Sequence, residues 1–364
     1  MTFEDYMEKK KKITINTDRG KSAVMLSNKK KQNSNITKRV KKGEFEEVDE
    51  YQLLGVWIDG TGRYMINIIK NKERLRFITN SVKSFANDHN MGCLAVRGRI
   101  KMMEIVIVPA ILHGSEAFLY FTKEEEKELE KMQGRVIRDL LEVPPTTPYN
   151  ALLLELGMLT MKARVDYRKL MLYHNLVNSD DRRIAKHLIR EQQKMDRKGT
   201  WLYGVQEIMK YYGVEDNPQE TLKSAWKRMV KQKIRDKTEE KLRKEGENMS
   251  KSRTVLVEKY EMKSYLRETT VDQAKQILTA RLHMMKIPCN YKAQEAETCW
   301  LCGTTGKIRT EHYYECKGTT RLQKSCGAKI DDLTSMDTQA LIRTTMFLEK
   351  VTEVFKPKWE MDNS

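Results

Sequence analysis

The sequence predicts a mainly α-helical protein with a small β element at its N-terminus and a compact metal-binding unit near its C-terminus. Glycine (18) and proline (7) are scarce among 364 residues, and Lys, Glu, Leu, Met and Arg dominate, which favours helices. Apolar residues recur at helical spacing from residue 64 onward. Five of the six cysteines lie between residues 289 and 326, and in a reducing compartment such clustering indicates metal binding rather than disulfides.

The predicted β element occupies the first 62 residues. Three short stretches of β-forming residues are strand candidates, at residues 13–16, 22–27 and 51–58. A turn is expected directly after the third strand, at residues 59–62. Residues 29–43 are rich in lysine and lack apolar periodicity, so they are expected to form an exposed basic loop.

Helices are predicted over most of the remaining chain. The first two are expected at residues 64–89 and 94–112, because their apolar residues lie on one face. The third begins at Thr122, which forms the T-x-x-E pattern of a capping box with Glu125, and ends before Pro144. Further helices are predicted at residues 149–157, 160–178, 180–196, 218–246, 250–267, 271–286 and 337–355.

The overall charge favours anionic partners. Lys and Arg total 68 against 51 Asp and Glu, a formal net charge of +17, so nucleic acid is the first candidate partner and an acidic membrane surface the second. The longest apolar run, residues 105–112, is far shorter than the roughly 20 residues of a membrane span. The N-terminus also lacks the apolar core of a signal peptide, so an intracellular, reducing location is expected.

The densest basic segment is residues 223–253, with twelve Lys or Arg and five Asp or Glu. It predicts either a helix face that binds nucleic acid or an ordinary solvated helix whose charges pair at i,i+4. The candidate contacts in this helix and in the N-terminal basic segments are Lys227, Arg228, Lys231, Lys233, Arg235, Lys21, Lys29, Lys30 and Lys31.

The most specific local pattern is C-x2-C-x9-H-x3-C, formed by Cys299, Cys302, His312 and Cys316. Three thiolates and one imidazole make a closed tetrahedral shell, which suits structural zinc and leaves no open position for an activated water. Cys326 is an alternative fourth ligand in place of Cys316.

Three aromatic residues accompany this pattern. Trp300, Tyr313 and Tyr314 lie near Lys307 and Arg309, so the rings are candidates to stack on unpaired bases while the cations contact phosphates. The alternative is that the rings cover the metal site as a minimal core. Both interpretations remain open at the level of sequence.

The chain shows no signature of a common enzyme class. Phosphate-binding loops, dinucleotide fingerprints, H-E-x-x-H and G-x-S-x-G are all absent from the sequence. His113, followed by Gly114, Ser115 and Glu116, is interpreted as structural rather than catalytic.

Four stretches resemble, in order, parts of the reverse transcriptases of non-LTR (LINE-type) retrotransposons. Residues 3–28 resemble the segment after the catalytic Asp-Asp strand, and residues 51–59 resemble the palm–thumb junction. Residues 108–159 resemble the thumb and connector, and residues 277–316 resemble the C-terminal CCHC zinc knuckle. The matching residues are Ile13, Asn16, Lys21, Ser22, Tyr51, Leu54, Gly55, Val56, Pro109, His113, Gly114, Glu116, Thr147, Pro148, Glu155, Leu156, Gly157 and the four metal ligands.

The resemblance implies five segments. These are residual palm strands with a basic loop at 1–62, thumb-like helices at 63–160, a basic helical connector at 161–290, the zinc knuckle at 291–320, and a C-terminal helix and tail at 321–364. The implied partners are RNA or DNA, as template–primer or element RNA, and the implied location is nuclear or cytoplasmic.

The resemblance also implies what this chain lacks. The aspartates that hold two Mg²⁺ ions in the family are expected before Met1, so Mg²⁺ belongs to a full-length polymerase and this chain alone is expected to be inactive. The expected function is therefore nucleic-acid binding by a C-terminal fragment of a reverse transcriptase. The alternatives are a helical interaction protein fixed by zinc, and a decayed mobile-element remnant without activity.

Overall fold

The computed structural model describes residues 23–25, 46–88, 95–195, 198–215, 217–247, 259–287, 298–306, 308–335 and 337–361. This part of the chain is mainly helical with short strands near its N-terminus, so the predicted fold class is confirmed at that level. Some predictions fall outside the described residues: the strand at 13–16, the basic loop at 29–43, and the candidate contacts Lys21, Lys29, Lys30, Lys31 and Lys307.

In the described part of the chain, four short strands form two separate two-stranded sheets. Strand β1 (Ala23–Val24) pairs in parallel with β2 (Glu46–Glu47), and β3 (Glu50–Leu53) pairs antiparallel with β4 (Val56–Asp59). The prediction of one strand over 51–58 was therefore wrong. Leu54 (φ 49°) and Gly55 (φ 85°) form a two-residue turn that reverses the chain, and positive φ at both turn positions is what a tight hairpin requires.

Within the described residues, the helices follow from residue 65 onward. They are α1 (Met65–Asp88), α2 (Ala95–Met102), α3 (Val108–Ile111), α4 (Lys123–Leu141), α5 (Tyr149–Leu156), α6 (Met161–Val177), α7 (Ile184–Met195), α8 (Trp201–Tyr212), α9 (Lys223–Glu247), α10 (Ser264–Glu268), α11 (Val271–Arg281), α12 (His312–Glu315), α13 (Thr320–Cys326) and α14 (Thr338–Met361). The predicted capping box at Thr122 and Glu125 opens α4.

The predicted helix at 94–112 is interrupted by one π-helical turn. Residues Met103–Ile107 form this turn between α2 and α3, and the Val108 N–H donates to the carbonyl of Met103, five residues back. Pro109 explains the interruption, because proline has no N–H and its ring excludes a regular α-turn before it.

Two helix predictions need correction. Helix α8 was not predicted, although Thr200 caps it and Gly213 ends it in the left-handed region. The helix predicted at 250–267 is confined to α10 within the described residues, because Met262 lies in an extended segment that pairs with Leu156.

The buried apolar residues form three clusters. The first joins α1 to α5 with α10 and α11, and the second joins α6, α7 and α8 with the first half of α9. The third contains the cysteine-rich segment, the 3₁₀ turn at Ile330–Thr334 and α14. The residues predicted as a separate knuckle and tail thus share one core.

Candidate metal centre and basic helix

Local backbone geometry brings the first two cysteines together. Thr298 and Thr305 pair as an isolated bridge, and Cys299 and Cys302 lie in the turn between them. The Gly303 N–H donates to the carbonyl of Cys299 at 2.8 Å, and Gly303 has a φ of 73°, a conformation that glycine adopts without strain. The tight turn therefore directs two thiols toward one point.

The other two ligands come from the next element. His312 is the first residue of α12, and Cys316 follows its last residue. The four ligand atoms lie within 4.8 Å of one another. The Sγ atoms of Cys299 and Cys316 are 3.8 Å apart, and the Cys302 Sγ is 3.4 Å from Nε2 of His312. These four residues can hold a metal ion.

The group also answers the question of the fourth ligand. Cys316 belongs to it, whereas Cys326 lies at the end of α13, with its Sγ 3.8 Å from the Ser325 hydroxyl. The choice of Cys316 over Cys326 is therefore supported by distance.

The two thiols of the turn have different acidities. Burial raises the pKa of Cys299 to about 11. Hydrogen bonds from the Thr304 side chain and backbone lower the pKa of Cys302 to about 6. Metal–thiolate bonds require the deprotonated form, so the lowered pKa of Cys302 favours metal binding, whereas the raised pKa of Cys299 means that its thiol gives up a proton when a metal binds.

The aromatic residues beside the ligands belong to the core. Tyr313 is 1% exposed and Tyr314 is 4% exposed, and the Tyr314 hydroxyl hydrogen-bonds that of Thr344 in α14. The rings of Trp300 and Tyr313 each lie 5.7 Å from Phe355 of α14 in edge-to-face geometry. The two tyrosines thus have no face open to a base, which favours the alternative that they cover the metal site.

Helix α9 has a regular buried face. Trp226, Val230, Ile234, Thr238, Leu242 and Gly246 are buried at intervals of four residues. This spacing fixes which side chains point outward, because residues four apart share a face of a helix. The predicted contacts Lys227, Arg228, Lys231 and Lys233 are all exposed.

The two halves of α9 differ in how their cations are paired. In the second half, Lys237, Lys241 and Arg243 form ion pairs with Glu240, Glu245 and Glu239 respectively, as the solvated-helix interpretation expects. The first half has five exposed cations for which no carboxylate lies within ion-pair distance among the described residues: Lys223, Lys227, Arg228, Lys231 and Lys233.

Arg235, the last predicted contact on this helix, has a different role. Its guanidinium donates to the carbonyl of Tyr260 and lies 5.0 Å from the centre of that ring. It therefore holds the extended segment after residue 258 against α9. Arg309, the predicted contact beside the metal group, is exposed.

Several residues that carry the family resemblance lie at contacts between elements. The His113 ring contacts the carbonyl of Leu54 at 3.0 Å, and a Cβ on Gly114 would lie 2.4 Å from the Val56 side chain, so both position the hairpin. Glu116 accepts two hydrogen bonds from Arg168, at 2.8 and 3.2 Å. These contacts agree with a structural role for His113 and its neighbours.

A buried ion pair joins the helical body to the C-terminal unit. Arg281 donates to Glu155 at 2.8 Å and to the carbonyl of Leu333 at 2.8 Å. The Tyr265 hydroxyl donates to the other oxygen of Glu155 at 2.9 Å. Glu155 is fully buried and Arg281 is 1% exposed, so both charges depend on these partners. Sequence reasoning noted Glu155 but missed its partner, which lies 126 residues away.

The chain has no match among models of protein families, curated proteins or solved structures. Within the described ranges, no helix is long and apolar enough to cross a membrane. The proposed function therefore rests on the geometry of the metal group and of the basic helix.

Proposed function

We propose that this protein binds nucleic acid through its basic helical surface. The observation that carries the proposal is the row of five exposed cations in the first half of α9 without carboxylate partners among the described residues. Unpaired surface cations repel one another, and a bound anion offsets this repulsion. A phosphate backbone supplies such anions in series. The net charge of +17 adds a long-range attraction of the same sign.

We further propose that the metal is a structural zinc ion. Ideal tetrahedral geometry with Zn–S of about 2.3 Å and Zn–N of about 2.0 Å places two sulfurs roughly 3.8 Å apart and a sulfur and nitrogen roughly 3.5 Å apart. Two of the six separations between ligand atoms, 3.8 Å and 3.4 Å, fit these values, and all six lie within 4.8 Å. Four protein ligands close the shell, so the ion would stabilise the C-terminal unit and leave no position for substrate.

The order of the sequence motifs supports descent from a non-LTR retrotransposon reverse transcriptase. In this interpretation the β3–β4 hairpin is the end of the palm, α1 to α5 form the thumb, and the metal group is the zinc knuckle. In that family, polymerase chemistry depends on aspartates in a segment that no stretch of this chain resembles. The proposed role is therefore binding rather than polymerisation.

The proposal is tested by affinity for RNA and DNA oligonucleotides, measured by fluorescence anisotropy at low salt. Lys227→Gln/Lys231→Gln is expected to weaken binding and to reduce the salt slope by about 1.4, since each lost contact with a single strand contributes about 0.7. Lys237→Gln/Lys241→Gln removes the same charge from the same helix, but from lysines already paired with glutamate, and is expected to change affinity much less. Equal effects of the two variants, or no binding by the parent chain, would contradict the proposal.

A second candidate is a helical interaction protein whose zinc fixes the C-terminus. The burial of Tyr313 and Tyr314 under α14 favours it, because these rings stabilise the fold and leave no face open to a base. Two measurements together separate these candidate functions: oligonucleotide affinity, and unfolding after the metal is removed with a chelator. A chain that binds no oligonucleotide and whose C-terminal unit unfolds on chelation would support the second candidate function.

A further inference from the structure

A basic cleft lies between the first and second apolar clusters. It has a volume of about 780 Å³, and eight of its eighteen lining residues are Lys or Arg, against 68 of 364 in the whole chain. Its one acidic residue, Glu104, is neutralised by two hydrogen bonds from Arg164, at 2.8 and 2.5 Å. The cleft is therefore strongly positive.

Four of the cleft's eight cations form neither an ion pair nor a side-chain hydrogen bond in the part of the chain that the structure describes. Arg97 and Lys101 extend from α2, and Lys227 and Lys231 extend from α9. Within each pair the residues are four apart, which places them on one helix face about 6 Å apart along the axis. Two rows of unpaired cations thus meet at one cleft, although the two helices are remote in sequence.

The paired cations hold the cleft in shape. Arg164 also donates to the Leu159 carbonyl at 3.3 Å, and Arg168 is bound by Glu116. These side chains join α6 to the π-helical turn and to the 3₁₀ turn at Ser115–Ala117. The unpaired cations therefore lie around a cleft whose walls are held in place by these ion pairs.

The interior of the cleft is apolar. Ile100, Val108, Leu112, Leu156 and Met158 line it and are buried, and Tyr167 lines it as a partly exposed ring. A cation-lined site with an apolar interior fits a ligand that carries regularly spaced anions and flat apolar faces. Single-stranded nucleic acid has both features, because its phosphates repeat along the chain and its unpaired bases expose their faces.

We infer that this cleft binds single-stranded nucleic acid, with phosphates on Arg97, Lys101, Lys227 and Lys231 and a base against Tyr167 and the apolar interior. The inference rests on the proposed nucleic-acid binding and assigns it a place and a form of ligand. A duplex stacks its bases inside and presents a convex backbone, so it can contact the cleft only at the rim.

The test compares single-stranded and duplex oligonucleotides of equal length with the full chain. Arg97→Gln/Lys101→Gln is expected to weaken single-strand binding, to reduce its salt slope by about 1.4, and to leave duplex affinity nearly unchanged. Tyr167→Ala is expected to weaken single-strand binding about tenfold without changing the slope, whereas Tyr167→Phe keeps the affinity. Circular dichroism of each variant verifies that the helical fold is retained.

The outcomes separate this inference from the proposed function. If Lys227→Gln/Lys231→Gln weakens binding and Arg97→Gln/Lys101→Gln does not, the nucleic acid lies on the outer surface of α9 and the cleft inference is overturned, while nucleic-acid binding stands. If the parent chain binds no oligonucleotide, both fail. Displacement of the oligonucleotide by polyglutamate of equal charge and concentration would also overturn the inference, because it would show recognition of charge alone.

Discussion

The buried pair of Glu155 and Arg281 makes a large and specific prediction for stability. Arg281→Met removes the hydrogen bonds to Glu155 and to the Leu333 carbonyl, and leaves the Glu155 carboxylate fully buried with the Tyr265 hydroxyl as its remaining described partner. An uncompensated buried charge of this kind costs about 3–5 kcal/mol. The free energy of unfolding is therefore expected to fall by that amount.

Urea unfolding followed by circular dichroism, with metal present in excess, measures this loss. Arg182→Met is the matched control, since Arg182 pairs with Asp180 at 2.9 Å but its side chain is 91% exposed, and exposed pairs contribute less than about 1 kcal/mol.

A second variant tests the reason for the loss. Glu155→Leu/Arg281→Met removes both charges together, and is expected to recover much of the stability because no buried charge remains. A loss below about 1 kcal/mol for Arg281→Met, or a double variant as unstable as the sum of its single changes, would refute this reasoning.

Three further predictions concern the metal group, a glycine and a buried lysine. Cys302→Ala is expected to abolish stoichiometric zinc binding, measured by atomic emission. The control Cys326→Ala changes a cysteine of the same unit outside the ligand group, and is expected to keep one zinc per chain. Equal zinc content in both variants would contradict the assignment. A Cβ added to Gly157 (φ +60°) would lie 2.4 Å from the Glu261 backbone, whereas a Cβ added to Gly213 (φ +63°) would have no atom within 4 Å. Gly157→Ala is therefore expected to lose at least about 1 kcal/mol more stability than Gly213→Ala in urea unfolding, and equal losses would argue against the close approach. Burial lowers the pKa of Lys169 from its ordinary value of 10.5 to about 8. Between these two pH values the unfolded chain binds more protons than the folded chain, so this lysine's contribution to stability rises with pH. Over that window the difference in unfolding free energy between the parent chain and Lys169→Met is expected to shift by up to about 3 kcal/mol in the parent's favour, and a difference independent of pH would disprove the assignment.

The features that local sequence determines were predictable. The four metal ligands lie within eighteen residues, and their spacing alone identified the group that the structure brings together. The start of α4 followed from Thr122 and Glu125, because a capping box involves only neighbouring residues.

The errors arose where local signals were ambiguous. Residues 51–58 are mostly β-forming, as in a single strand, and a left-handed leucine at position 54 is a rare turn residue, so the hairpin was not predicted. Helix α8 begins with Trp201 and contains three tyrosines, and aromatic residues favour helices only weakly. The signal that identifies it is the combination of Thr200 before it and Gly213 after it.

The basic cleft depends on contacts that no local pattern reveals. Arg97, Arg164, Lys227 and Arg267 come from four different helices and meet only in the folded chain. The sequence showed the positive charge on α9. It did not show that the exposed cations of the first half lack carboxylate partners, because ion pairing depends on which glutamates lie within reach in the folded chain.

The salt dependence of affinity for a single-stranded oligonucleotide tests nucleic-acid binding most directly. With phosphates on the four unpaired cations of the cleft, the plot of log affinity against log salt concentration is expected to have a slope of about −3 or steeper. A slope near zero, or no binding at about 50 mM salt, would contradict the account.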